Sequence, residues 1–296
     1  MSFVGAFAGV QSKFHYIVED YLGAPLPTPE PPATFTMYGL TPDDIEPSFD
    51  TALIKVRGCG SRDLTALKRG LLKADLKVVY AVPSDDIMSF LHHVVDCFAL
   101  TCEVTDSDEA GTSIVDVLYT GSRIDKATVS CSLEDVLRAE CDLIAQDVNA
   151  SDALIAGAAW SELAGAVAFS DTLVSKGAAD GSNPVPFEVV TDWKFTIANN
   201  LKRVGVIRVT DPTILKYLVP RHRELSGELT CTFENKDQYY EAAAGTFGLK
   251  FDLSAGKFFT FKNCQWSNVG SVRRPEDLVS LKLAFTAESM VDSEVS

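Results

Sequence analysis

The sequence has few of the residues that do chemistry at fixed sites. It has only four histidines, His15, His92, His93 and His222, and only His92 and His93 are adjacent. Neighbours on a helix face different ways, so these two cannot easily share a metal. There is no C-x-x-C, which argues against a zinc ribbon or a thioredoxin-type redox pair. Gly58-Cys59-Gly60-Ser61-Arg62-Asp63 is the one glycine-rich spot near charge, and it lacks the G-K-[ST] ending of a phosphate loop. It reads as a tight turn after a strand. No Ser-His-Asp or Cys-His arrangement can be assembled. The acidic pairs Asp43-Asp44, Asp85-Asp86, Glu134-Asp135 and Glu276-Asp277 all fall where turns or caps are expected, so capping explains them. The reading is therefore a protein that is not an enzyme, with no catalytic, cofactor-binding or metal-binding residues and no cofactor.

Basic residues are also scarce. Lys+Arg number 26 against 41 Asp+Glu, a net charge of −15, which argues against clinging to a phosphate backbone. The deficit is uneven: residues 1–150 carry −12 and the rest −3. The basic doublets Lys202-Arg203, Arg221/Arg223 and Arg273-Arg274 lie in the less acidic half, an asymmetry suited to head-to-tail association of identical chains. No convincing membrane or export signal is seen. The opening MSFVGAFAGV is apolar, but the first basic residue is Lys13. Ala153–Phe169 is short for a span and is interrupted by Ser161 and Glu162, so a buried or interface helix is expected there. The seven cysteines are odd in number and widely spaced, and several sit in strand-like runs. They read as reduced core residues.

What is abundant is strand grammar. Residues 1–22 are expected to form a short helix or docking arm. Gly23–Ala33 holds five of the 13 prolines and must be extended, as a linker or strap. Ala74–Val82 is β-branched and aromatic, Pro83–Asp86 sets a turn and cap, and Ile87–Val95 has helical spacing. Phe98–Val104 alternates at period 2. An acidic loop, Thr105–Gly111, follows. Ile114–Tyr119, Lys126–Cys131 and Leu137–Val148 come next, with turns at Thr120–Ser122 and Ser132–Asp135. The second half repeats the order: Gly227–Phe233, a short helix through Gln238–Ala244, Phe247–Leu253, Phe258–Phe261 and Lys282–Glu288. From Tyr119/Phe261 onward the offset is a constant 142. Residues 54–148 and 204–288 thus read as two copies of one unit. Between them, strands at Val167–Ser175 and Phe187–Ala198, joined by the turn-rich Lys176–Pro186, suggest a projecting hairpin arm. The expected organisation is 1–53, an N-terminal arm with the proline-rich extended segment; 54–148, a first β-rich half; 149–203, a helix and long hairpin arm; and 204–296, a second β-rich half with a C-terminal strand and tail.

The runs VTDWKFTIANNLKRVGVI (Val190–Ile207), GELTCTFENKDQYYEAAAGTFGLKFDL and FKNCQWSNVGSVRRPEDLVSLKLAFTAES (Phe261–Ser289), with EDYLGAPLPTPEPPA (Glu19–Ala33) and RGCGSRDLTALKRG (Arg57–Gly70), resemble the tail tube (major tail) proteins of long-tailed viruses. The resemblance implies a mainly β, sandwich or barrel-like fold with a flanking short helix in each of two similar halves. Copies would close into rings, typically of six, whose strands form a lumen barrel. The apparent duplication leaves open that each chain contributes two barrel segments. Ring closure removes sheet edges that would otherwise aggregate.

The implied location is the virion tail, assembled in the host cytoplasm. The implied partners are other copies of the chain, a tape measure inside, and terminator and tip proteins at the ends. The genome DNA would pass through an acidic lumen without specific binding, and no membrane is involved. Two other functions compete. One is the inner tube of a contractile tail or secretion device. The other is a β-sandwich carbohydrate-binding or adhesin module using Trp160, Trp193 and Trp266 as sugar platforms, although strand or helix periodicity around each favours a core or interface role.

Overall fold

A computed structural model describes residues 12–19, 35–57, 64–107, 114–206, 214–232, 245–272 and 280–294. The described residues are mainly strand. The first run is β1 (Lys13–Val18), β2 (Phe35–Leu40), β3 (Pro42–Arg57), β4 (Leu64–Ala81), a single α-helical turn α1 (His93–Asp96), β5 (Leu100–Ser107), β6 (Ile114–Ser132), β7 (Arg138–Ala145) and β8 (Asp147–Ser151). After β9 (Ala158–Glu162) the second run begins: β10 (Leu173–Gly177), β11 (Val185–Pro186) and β12 (Val190–Ala198). A small ribbon of β13 (Lys202–Val204) and β14 (Tyr217–Val219) interrupts it. It then continues through β15 (Glu224–Thr232), β16 (Phe247–Ser254), β17 (Lys257–Val272), β18 (Ser280–Ala287) and β19 (Ser289–Asp292).

Three sheets share these strands. The central one has eight, in the order β3-β4-β7-β6-β12-β15-β18-β17, all antiparallel. Two smaller sheets hold β9-β2-β1-β5-β6-β8 and β11-β10-β16-β17-β19. The long strands β6 and β17 each run through two sheets, and each bends at a left-handed residue, Gly121 (φ 61°) and Asn263 (φ 52°). Glycine and asparagine are the residues that accept this conformation at least cost.

One face of the central sheet supplies the core. Leu76, Val78, Tyr80, Val129, Phe195, Ile197, Leu229, Leu283 and Phe285 are all buried. They meet Phe251, Phe259 and Phe261 of one small sheet, and Phe14, Tyr16 and Phe90 on the other side. Phe195 is the hub, with ring centroids 5.0–5.2 Å from Phe251, Phe259 and Phe261 and Trp193 stacked 5.8 Å away. The alternation of these residues with Asp75, Lys77, Thr128, Ser130, Lys194 and Glu228 is what a sheet buried on one face requires.

Several expectations are corrected. Ala153–Phe169 is not a helix. Ala158–Glu162 is a strand lying parallel to β2, and Phe169–Asp171 is a short 3₁₀ turn. The strand expected at Val167–Ser175 begins only at Leu173. It forms no hairpin arm with β12: β10 pairs with β11 and β16, while β12 sits between β6 and β15. Strands also begin well before residue 54. Lys13–Val18 is a strand between β2 and β5 rather than a helix or arm. Thr120–Ser122 is a corner inside one strand rather than a turn between two. Of the expected Ile87–Val95 helix only the part from His93 onward is α-helical, in a turn that ends at Asp96. The expected turn at residues 58–63, the proline segment at 23–33, the helix at 238–244, part of the acidic loop, Arg273-Arg274 and Glu276-Asp277 lie outside the described residues.

Candidate assembly surfaces

The two runs of strands carry the same pairings. β6 meets β7 with Ile124 opposite Leu143 and Lys126 opposite Asp142, an irregularity between them. β17 meets β18 with Trp266 opposite Phe285 and Asn268 opposite Ala284, the irregularity again between them. Each of these residues is 142 positions from its counterpart. The corner hydrogen bonds match too: Gln146 N–H donates to Thr120 O at 3.0 Å, and Glu288 N–H to Lys262 O at 3.2 Å. Bulges at equivalent places are features of a strand's path and not accidents of one loop. Upstream, β3 lies on β4 with a register shift between Pro42 and Asp44. β12 lies on β15 with a shift between Val190 and Asp192. Through their β7 and β18 partners, β4 corresponds to β15 at an offset of 151 and β3 to β12 at 148.

The central sheet is therefore two four-stranded units joined side by side where β6 pairs with β12. Its two ends are open among the described residues. β3 pairs only with β4, and the Gln265–Val272 part of β17 only with β18. The open β3 edge displays apolar side chains: Phe49 is 70% exposed and Leu53 57%. An exposed, long strand edge of this kind is an aggregation hazard unless something covers it.

The other face of the central sheet is polar and crossed by ion pairs. Lys77 lies 3.3 Å from Glu140 and 4.0 Å from Glu46, and Lys126 lies 4.0 Å from Asp142. Glu228 is 3.0 Å from Lys194 and 3.6 Å from Lys282. Arg138 at the rim pairs with Asp43, and Arg203 reaches from β13 to Asp75. Donors from Lys194 outweigh the effect of burial at Glu228 and hold its carboxyl below the usual range. Such exposed pairs add little stability. They matter here because these lysines already have carboxylate partners and do not offer free positive charge.

A buried polar cluster fixes β9. Glu103 is fully buried and accepts from Trp160 Nε1 at 2.8 Å and from the Ile155 N–H at 3.4 Å. His15 Nδ1 stands 3.5 Å from Glu103, and its Nε2 3.2 Å from Glu162 Oε1. Burial alone would raise the Glu103 carboxyl, but these donors outweigh it and leave it below its ordinary value. Asp116 takes the opposite course: burial first, then the charge of Glu103, pushes it up to about 6.

The residues singled out by sequence do not converge. Trp193 is in the core, Trp266 lies tilted against Phe247 with ring centroids 4.4 Å apart, and Trp160 belongs to the cluster just described, so no shared platform forms. His92 contacts Asp292 at 2.6 Å and Asp96 at 3.5 Å, and His93 contacts Asp96 at 3.0 Å. His222 sits with Glu224. Arg203 and Arg223 are used within the chain, Arg223 on Asn199 Oδ1 and Val95 O. Asp135 accepts from the Val136 N–H inside its own turn, whereas Asp85 accepts from the Ala164 N–H, a contact between distant segments and not a cap. Among the described residues no group of three or more His, Cys, Asp or Glu is placed to hold a metal, and no helix is long and apolar enough to cross a membrane. The six described cysteines are buried as free thiols.

Comparison with known proteins gives one broad match. A family described as phage tail tube protein matches residues 6–287. No curated protein matches. Among solved structures, a chain from the virion of a native gene transfer agent particle is similar over 42% of this chain and 97% of its own, at 10% identity and a TM-score of 0.32.

Proposed function

The chain belongs to the phage tail tube proteins, and from that premise we propose that it closes with copies of itself into rings, six-fold in like units, that stack into a conduit for the viral genome. It is a structural subunit of the virion tail. The observation that carries the proposal is the eight-stranded central sheet, polar on one face, packed on the other and open at both ends. A lone globule has no use for two uncovered strand edges, whereas a ring covers both with one contact.

The polar face lines the bore in this reading. Carboxylates pair with Lys77, Lys126, Lys194 and Lys282 on it, and the chain carries −15 overall. Phosphates meeting such a wall release no counterions from paired cations and are repelled by the remaining charge, so DNA slides without sticking. Tape measure, terminator and tip proteins are the remaining partners of such a tube.

Negative-stain microscopy of the purified chain tests the function. Rings or tubes of constant diameter are expected. A protein that stays monomeric across concentration and salt contradicts it.

A further inference from the structure

The internal β6–β12 junction carries the pattern for the contact between chains. β6 corresponds to β17 and β12 to β3. Within the chain, Ile197 lies opposite Ala127, Thr196 opposite Thr128 and Ala198 opposite Lys126. Carrying these pairs through the two offsets places Phe49 opposite Val269, Ser48 opposite Gly270 and Asp50 opposite Asn268. These residues lie on the two open edges. We propose that the β3 edge of one copy adds to the β17 edge of the next in this register, and that three copies, not six, complete the ring.

The side chains agree with a covered edge. Ile197 is fully buried, whereas its counterpart Phe49 is 70% exposed in the single chain. Ala127 is fully buried, and its counterpart Val269 only partly. Two apolar residues, each short of the burial its counterpart has, fall opposite one another. Pro47, the counterpart of Phe195, has no N–H, so the ladder misses one bond there. A proline on an open edge also discourages pairing with the wrong strand.

The copy number rests on the conduit reading given above. At about 4.8 Å between strands and a tilt of about 40°, three copies with 24 strands close a barrel about 50 Å across at the backbone. Side chains reduce the bore to about 40 Å, enough for one hydrated duplex. Two copies would leave about 20 Å, with no clearance, and six about 90 Å, room for several duplexes abreast.

Paired cysteines test both parts, in a Cys59→Ser background because the six other cysteines are buried. The double variants are Phe49→Cys with Val269→Cys, and Asp50→Cys with Asn268→Cys. They sample adjacent ladder positions, so one of the two has the closer side-chain spacing of a non-hydrogen-bonded pair. Asp50→Cys with Gly270→Cys is the shifted control. After mild oxidation of assembled tubes, the matched pairs should give a covalent ladder ending at three chains, and the control should give none. A ladder ending at six overturns the copy number. Tubes that form but cross-link only in the control, or not at all, overturn the junction while leaving the tail tube function standing. Failure of the parent protein to assemble at all contradicts both.

Discussion

Replacing Phe49 with alanine separates folding from assembly. In the single chain the ring is 70% exposed, so its removal leaves no cavity and should change the melting temperature of unassembled protein very little. At the junction the same ring is covered. An aromatic side chain offers roughly 150–250 Å² to burial, of which about two thirds remains open here. At about 25 cal/mol per Å², losing that burial costs about 3 kcal/mol per contact, before any gap is counted. A free-energy loss of that size weakens each contact by about two orders of magnitude, and a closed ring makes the contact several times over. Assembly is read by sedimentation and microscopy over a concentration series, with the monomer's thermal melt alongside. The critical concentration for tubes should rise by 100-fold or more while the melt stays put. Tubes at the parent concentration would show that Phe49 is not at the contact. A large drop in melting temperature would show that it serves the fold instead.

Three further perturbations address the fold. Phe195→Ala empties the hub of the aromatic core and should cost about 3–5 kcal/mol in denaturant unfolding; a loss under 1 kcal/mol contradicts the packing described. Gly227→Ala places a methyl 2.4 Å from the Phe285 ring and 2.6 Å from Lys194 O, so it should destabilise by about 1–3 kcal/mol, and a neutral outcome would mean the β12–β15–β18 contact is looser than drawn. Asp116 has a carboxyl raised to about 6, so its ionisation opposes folding as pH rises from about 4 through 6, and below about 4 the group is protonated in both states. Asp116→Asn should therefore raise stability at pH 7 by about 2 kcal/mol, with the gain fading towards pH 4; a gain unchanged with pH refutes the assignment.

The strand content was legible wherever one face is buried. Phe247–Leu253 alternates because one side of it meets the core, and β16 falls on it. Phe98–Val104 also alternates in sequence, but β5 starts only at Leu100 and is buried on both faces, its Thr101 and Glu103 side included. The constant offset of 142 was visible because β6–β8 and β17–β19 share their corner and the spacing from one strand to the next. What sequence missed came from contacts distant along the chain. Ala158–Glu162 looks helical by its alanines, yet it is held by backbone pairing to β2 and by the reach of Trp160 to Glu103, which propensity cannot register. His15, Glu103 and Glu162 gave no local signal because the sheet brings them together from three segments far apart in the chain. β10 and β12 look like a hairpin because they are neighbours in sequence, but the chain crosses from one sheet to another between them. The β3 edge was hidden for a related reason: its strand begins at Pro42, within the 1–53 stretch expected to be an arm and extended segment, and its equivalence to β12 appears only through pairing partners.

The most direct measurement is electron cryomicroscopy of tubes grown from the full-length protein, resolved well enough to count chains and trace strands around the wall. The account expects a continuous antiparallel barrel with the polar face of the central sheet inward and β3 seated on β17 of the neighbouring copy. A wall in which those two edges face solvent, or in which the ion-paired face points outward, would contradict it.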